Sequence, residues 1–276
     1  MKIRKIVNNN IVIAENVMGQ ECVLTGKGIA FGKRVGGTID SLKVEKTFLL
    51  KQKGIAEKLS NLILDIPMNY LKVSDEIINK ARKEIGTIRE EIYLTLIDHI
   101  SFAIERFENG IILASSLKTE MQLLYPKEYK IGLQSLDIID KRLGIKFPND
   151  EAAYIAFHFV NAGSGNINVL ENLGFVQEII KVIKSHFKIE IETESLEYSR
   201  LLTHLKYFSY RVFNVDEKMK NDVNAYMYEK FKVDLPQESK CAEVIAEYIK
   251  ENYDYDVKDA EKEYLVIHLH RILSRL

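Results

Sequence analysis

The segment EAAYIAFHF at 151–159 returns in altered form as EKEYLVIHL at 261–269, so Glu-x-x-Tyr-(Ile/Leu)-x-(Phe/Ile)-His occurs twice. Each occurrence ends an apolar run in a histidine: Glu151, Tyr154 and His158 in the first, Glu261, Tyr264 and His268 in the second. Upstream of each lies a second matched pair. In LIDHISFAIERF, His99 precedes Arg106 by seven residues, and in LLTHLKYFSYRV, His204 precedes Arg211 by the same interval. Seven residues is about two helical turns, so histidine and arginine share a face in both. Such self-similarity requires two copies of one helical module of roughly 110 residues, each carrying a matched pair of histidines.

The N-terminal part has a different texture. KIRKIV, IVIAENV, ECVLTG, GIAFG and KVEKTFLL are short β-rich runs separated by NNN, MGQ and RVGGTID, the pattern of strands joined by hairpins. From about residue 56 apolar residues recur at three and four, as in SDEIINKARKEIG, LDIIDKRLG, VQEIIKVIKSHF and ESKCAEVIAEYIKENY. The expected fold is multidomain: a small all-β domain over residues 1–55, then two homologous all-α helical bundle domains over 56–170 and 171–276. A sheet domain of that size has little core of its own and is expected to dimerise or dock.

Of the 276 residues, 46% are hydrophobic and 29% charged, with 4 prolines and no low-complexity tract, which excludes disorder. Cys22 and Cys241 fit no metal spacing and are read as two reduced thiols of a cytosolic protein. MKIRKIVNNN lacks the apolar run of a signal peptide, and no stretch is long and apolar enough to span a bilayer, so no membrane insertion is expected. Net charge is −1, unevenly spread: residues 1–55 hold ten Lys or Arg against four Asp or Glu. A basic segment on an otherwise acidic chain points to a nucleic-acid partner.

A lone histidine on an apolar helix is more often a bonded core residue than a reactive one. Four at duplicated positions weigh against that reading. No close pair shares a helix face as a zinc site needs, since His268 and His270 lie about 200° apart round a helix. No Ser/His/Asp pattern, phosphate-cradling glycine loop or Walker sequence is present, so neither a metal nor a cofactor is expected and the chain is not read as an enzyme. What remains is histidine as a reversible acceptor. Neutral imidazole is a competent nucleophile near pH 7, and a phosphate taken up there adds as much as about two negative charges.

Taken together, KIxKxxNNNxxxxxN at the start, LTGKGIAFGK at 24–33, Asp98-His99 and both Glu-x-x-Tyr-x-x-x-His closures resemble the BglG/SacY/LicT family of transcriptional antiterminators over the whole chain. The resemblance implies a β-structured RNA-binding domain that acts as a homodimer on a hairpin in the nascent mRNA leader and prevents an overlapping terminator. It implies two helical domains that sense sugar supply through histidine phosphorylation by the phosphotransferase system. His99 and His158 are the implied sites of inhibitory phosphorylation dependent on a sugar-specific enzyme II. His204 and His268 are the implied targets of the general carrier HPr, which activates by tightening the dimer. A cytoplasmic location follows from the same resemblance.

The implied RNA site also reads sensibly from physics. Sequence-specific RNA readers target loops and bulges with aromatic stacking, backbone amides and cations. Phe31 is suited to stack on an unpaired base; Gly26 and Gly28 permit close backbone approach; Lys5, Asn10 and Lys27 offer charge and amide hydrogen bonds. Position 27 is arginine in several family members, and lysine there keeps the charge without the planar fork. NNN and GKG are equally compatible with plain turns. Arg106 and Arg211 are placed to pair with a phosphate or with an acidic neighbour, the latter slightly favoured, and His186 and His270 read as structural or solvated. Three other readings stand beside this one, the first a sensory interaction module with no nucleic acid, against which the basic N-terminal segment argues. A similarly regulated DNA-binding activator needs a helix-turn-helix where residues 1–50 show strand texture. A histidine phosphocarrier or enzyme would pass its phosphate to a small acceptor.

Overall fold

The computed structural model describes residues 1–50, 54–64, 66–163, 168–213 and 226–275. Four strands, β1 (Lys2–Asn8), β2 (Ile11–Glu15), β3 (Glu21–Thr25) and β4 (Lys46–Leu50), form an antiparallel sheet in the order β1-β2-β3-β4. Asparagines set the first two turns by side-chain bonds that mimic backbone. Asn8 Oδ1 accepts from the Asn10 amide at 2.8 Å, and Asn16 Oδ1 accepts from the Met18 and Gln20 amides at 2.9 and 3.0 Å.

Strand alternation sends Val12, Ala14, Cys22 and Leu24 to one face, where Ile29 and Ala30 cover them with help from Ile6, Ile39 and Val44. The run GIAFG, expected as a strand, is therefore a chain of turns. Ile29 donates to Gly26 O at 3.1 Å, Phe31 to Gly28 O at 3.1 Å and Lys33 to Ala30 O at 3.0 Å. Gly28 and Gly32 have φ of +66° and +69°, and the adjacent residues Ile29 and Ala30 are both buried, which an alternating strand on one face does not allow.

The opposite face, bearing Ile11, Ile13 and Val23, is buried as well, with the helix α1 (Ile55–Leu62) against β2 and β3. The sheet thus docks on helices of its own unit. Phe48 of β4 meets Tyr93 edge to face at 5.5 Å, and Lys46 pairs with the buried Asp75, which also accepts from Tyr93 Oη at 3.2 Å.

The remaining helices are α2 (Met68–Ile85), α3 (Ile92–Glu108), α4 (Lys118–Leu124), α5 (Pro126–Leu143), α6 (Asp150–Gly163), α7 (Val169–Phe187), α8 (Leu196–Phe213), α9 (Tyr226–Asp234), α10 (Pro236–Tyr253) and α11 (Asp259–Leu273). They belong to two compact units. One holds Met1–Ser115 and Lys127–Gly165, the other Ser116–Pro126 and Asn166–Leu276. Sequence order therefore does not predict where α4 packs. It lies against α8, with Lys206 Nζ donating to Leu124 O at 3.0 Å and standing 3.8 Å over the Tyr125 ring, while Gln177 donates to Ser116 O at 2.7 Å. Its counterpart in the second repeat, α9, packs on α10 and α11 of its own repeat. Among the described residues, no helix is long and apolar enough to cross a membrane.

Candidate functional site

The first site is the loop between β3 and β4. Gly26 donates to Asn10 O at 2.9 Å and Gly28 donates to Asn10 Oδ1 at 2.8 Å, so one asparagine holds both ends of the GKG turn. A Cβ on Gly26 would sit 1.8 Å from Lys43 O, so only glycine fits. Ile29 and Ala30 anchor the loop in the core and leave Phe31 at its crest, 74% exposed. Lys27 is exposed, and its amide donates to Glu45 Oε1 at 3.2 Å, a carboxylate also held by Lys72 at 2.9 Å. Asn10, Gly26, Lys27, Gly28 and Phe31 are thus assembled together. Lys5 stands apart: it pairs with Ile13 across the β1–β2 ladder, on the face toward α1, and its ammonium lies 2.9 Å from Glu57 Oε1.

The second site is built twice. In the first unit α3 supplies His99 and Arg106, and α6 supplies Glu151, Tyr154 and His158. The rings of His99 and His158 lie 4.7 Å apart, and Tyr154 lies 6.1 Å from His99. Glu151 Oε1 is 2.8 Å from His99 Nε2 and 3.4 Å from Arg106 Nη2. The histidine contact does not meet hydrogen-bond geometry. In the other unit, α8 supplies His204 and Arg211 and α11 supplies Glu261, Tyr264 and His268. His204 and His268 stack at 5.3 Å, with Tyr264 5.4 Å from His204. Glu261 Oε2 lies 3.3 Å from His204 Nε2 and accepts from Arg211 Nη2 at 2.8 Å. Both arginines pair with the acidic neighbour, as the sequence slightly favoured.

The electrostatics keep one histidine of each pair uncharged. Burial, then the charge of His99, pushes the His158 imidazole down to about 3. Burial, then His204, Arg271 and Arg200, pushes His268 down to about 4. Burial works to raise the Glu261 carboxyl, but hydrogen bonds and charge from His204 and Arg211 outweigh it and hold it below its ordinary value. At neutral pH, His158 and His268 therefore offer an unprotonated ring nitrogen, the form that attacks phosphorus.

Residues 1–57 match the CAT RNA binding domain, and residues 75–162 and 177–272 each match the PRD domain. The chain is 37% identical, over the full length of both proteins, to the transcription antiterminator LicT of Bacillus subtilis (strain 168). It is 36% identical to the beta-glucoside operon antiterminator of Dickeya chrysanthemi, covering 100% of this chain and 98% of that one. This chain belongs to the CAT–PRD family of transcription antiterminators. A crystal structure of the CAT-PRDI part of GlcT, 32% identical, superposes with a TM-score of 0.50 over 58% of this chain and 96% of that one.

Within this antiterminator the two histidine sites are not identical. The charges of Arg200 and Arg271 reach His268, whereas the corresponding positions in the first PRD domain are Thr95 and Asn161. Sequence reasoning missed this asymmetry, although aligning the repeats on their Glu-x-x-Tyr motifs exposes it. Asp98 is half-buried on α3 beside His99. His186 packs edge-on against Phe187 at 4.9 Å, and His270 Nδ1 contacts the buried Glu238 at 2.9 Å. Neither belongs to a histidine pair. Among the described residues, no cluster of three His, Cys, Asp or Glu is placed to hold a metal ion.

Proposed function

We propose that this antiterminator binds, as a homodimer, a hairpin in a nascent mRNA leader and prevents formation of the overlapping terminator, under control of sugar supply. Asn10, Gly26, Lys27, Gly28 and Phe31 make the RNA surface, and Lys5 joins it by exchanging Glu57 for a phosphate. Phosphoryl groups arrive on His99 and His158 in dependence on a sugar-specific enzyme II, and on His204 and His268 from HPr of the phosphotransferase system. The first two inhibit; the last two activate by tightening the dimer. The protein catalyses no reaction of its own and works in the cytoplasm.

The observation that carries this reading is the exposed aromatic ring of Phe31 on a core-anchored, glycine-built loop beside Asn10 and Lys27. An aromatic that contributes nothing to the core has its natural partner in an unstacked base. Hairpin affinity of the full chain, measured at several salt concentrations against a loop-scrambled hairpin, tests it. Wild type is expected to discriminate the two hairpins and to lose affinity steeply with salt. Phe31→Ala is expected to lose about tenfold or more in affinity, a stacking contact being worth about 1–3 kcal/mol, with an unchanged melting temperature. Wild-type affinity in that variant would remove Phe31 from the site. The DNA-binding alternative loses its support in residues 1–50, which hold four strands and one three-residue 3-10 turn but no helix pair.

A further inference from the structure

We propose that Arg106 and Arg211 are phosphoryl-holding residues, and that Glu151 and Glu261 are placeholders that keep each guanidinium aimed at the histidine until the phosphoryl group arrives. This rests on the reading of His99 and His204 as phosphorylation sites and adds how the group is received. In both repeats a single carboxylate oxygen touches the histidine and the arginine together: Glu151 Oε1 for His99 and Arg106, Glu261 Oε2 for His204 and Arg211. The imidazole and guanidinium nitrogens are therefore no further apart than two such contacts laid end to end. Glu151 is buried at 6% side-chain exposure and Glu261 at 14%, so neither carboxylate turns to bulk water at little cost.

A phosphoryl group on either histidine sets roughly two negative charges against that carboxylate, and like charges at such range repel strongly. The guanidinium is then offered a dianion with three oxygens in place of a monoanion. Its fork suits the phosphate, and the glutamate is displaced. The same three-part arrangement on α3–α6 and on α8–α11 makes this a property of the repeat rather than of one surface.

The test treats full-length protein with potassium phosphoramidate, which phosphorylates imidazole without a protein donor. The unprotonated ring nitrogen attacks phosphorus, the donor N–P bond breaks, a ring N–P bond forms, and the ring N–H proton leaves with the departing ammonia as ammonium. Occupancy of His99 and His204 is read by peptide mass, and melting temperature is measured with and without the group for wild type, Arg106→Gln, Arg211→Gln, Arg211→Lys and Glu261→Gln. A purely structural arginine lowers both melting temperatures equally. Phosphoryl holding predicts that phosphorylation costs the Gln variants about 4 °C more than wild type, that Lys recovers part of this, and that Glu261→Gln reduces the cost. Equal shifts in wild type and arginine variants, or no labelling of His99 or His204, would overturn the proposal. Labelling by phosphoramidate but not by phosphorylated HPr or enzyme II would instead remove the assigned donors and leave this inference standing.

Discussion

One methyl group, in Gly26→Ala, is expected to destroy the RNA-binding loop and to lower the melting temperature of the unit that holds it. The added Cβ would lie 1.8 Å from Lys43 O and 3.2 Å from Glu45 N, so the obstacle is backbone rather than a flexible side chain. That backbone is fixed: Glu45 donates to Thr25 O at 2.8 Å, and Ser41–Lys43 is a 3-10 turn whose N-cap Asp40 accepts from the Leu42 amide at 3.0 Å. Relief requires breaking the bonds by which Gly26 and Gly28 grip Asn10, the same bonds that present Phe31. A forced shift of this kind costs about 3 kcal/mol, equivalent to roughly 6–12 °C in a unit of this size. Hairpin binding is lost with it. Gly32→Ala is the control: its φ of +69° is left-handed, but no heavy atom lies within 4 Å of the added carbon. It is expected to cost only about 1 kcal/mol and to leave binding measurable. Equal melting temperatures for Gly26→Ala and wild type would contradict the packing of this loop.

The second large effect is acid sensitivity governed by the histidine pairs. His158 titrates near 3 in the fold against an ordinary 6.5, and His268 near 4. With the folded value depressed, the unfolded chain binds more protons between the two values. Stability is therefore at its full value above pH 6.5 and falls as pH drops from about 6.5 toward 3 or 4, where the loss levels off. At about 1.4 kcal/mol per pH unit, the buried His158 contributes a few kcal/mol of acid destabilisation, and the more open, solvent-screened His268 contributes less. Glu261 acts in the same direction over a lower range: its depressed value stabilises the fold above the ordinary 4.5 and the contribution is lost as pH falls below it. His158→Gln is expected to flatten the melting-temperature profile between pH 6.5 and 4 without changing it much at pH 8. An unaltered acid slope in that variant would show that His158 is not the group being titrated.

The architecture was legible where side chains repeat with a period. The threes and fours in LIDHISFAIERF marked α3, because burial of one helix face is itself periodic, whereas β2 and β3 were read from β-rich runs bounded by Asn and Gly, both faces of the sheet being covered. It failed at GIAFG, where two consecutive core residues sit on turns, and at α4 and α9, which are too short for a period to show. The His–Arg interval revealed that both side chains share a helix face, but not that one glutamate joins them. That join depends on how α6 meets α3, and the meeting is a tertiary fact: a Cβ on Gly132 of α5 would lie 2.1 Å from Ala152 O of α6, a closeness of backbones that no spacing encodes. The placement of Lys5 on the α1 face of the sheet was hidden by irregular register in β1, between Ile3 and Lys5 and again between Ile6 and Asn8.

The lodging of α4 on α8 has a consequence for how such a chain diverges after duplication. Met121 and Leu124 are buried there, and Lys206 reaches back to Leu124 O and the Tyr125 ring. A substitution on that side of α8 is answered by residues 118–125, which lie within the other copy in the gene. The two copies therefore cannot drift as independent units, and a recombination that exchanged one whole copy for a relative's would bring α8 an unmatched helix. Inheritance of this pair as a block is the expected pattern, with compensating changes at 118–125 and 198–210 appearing together.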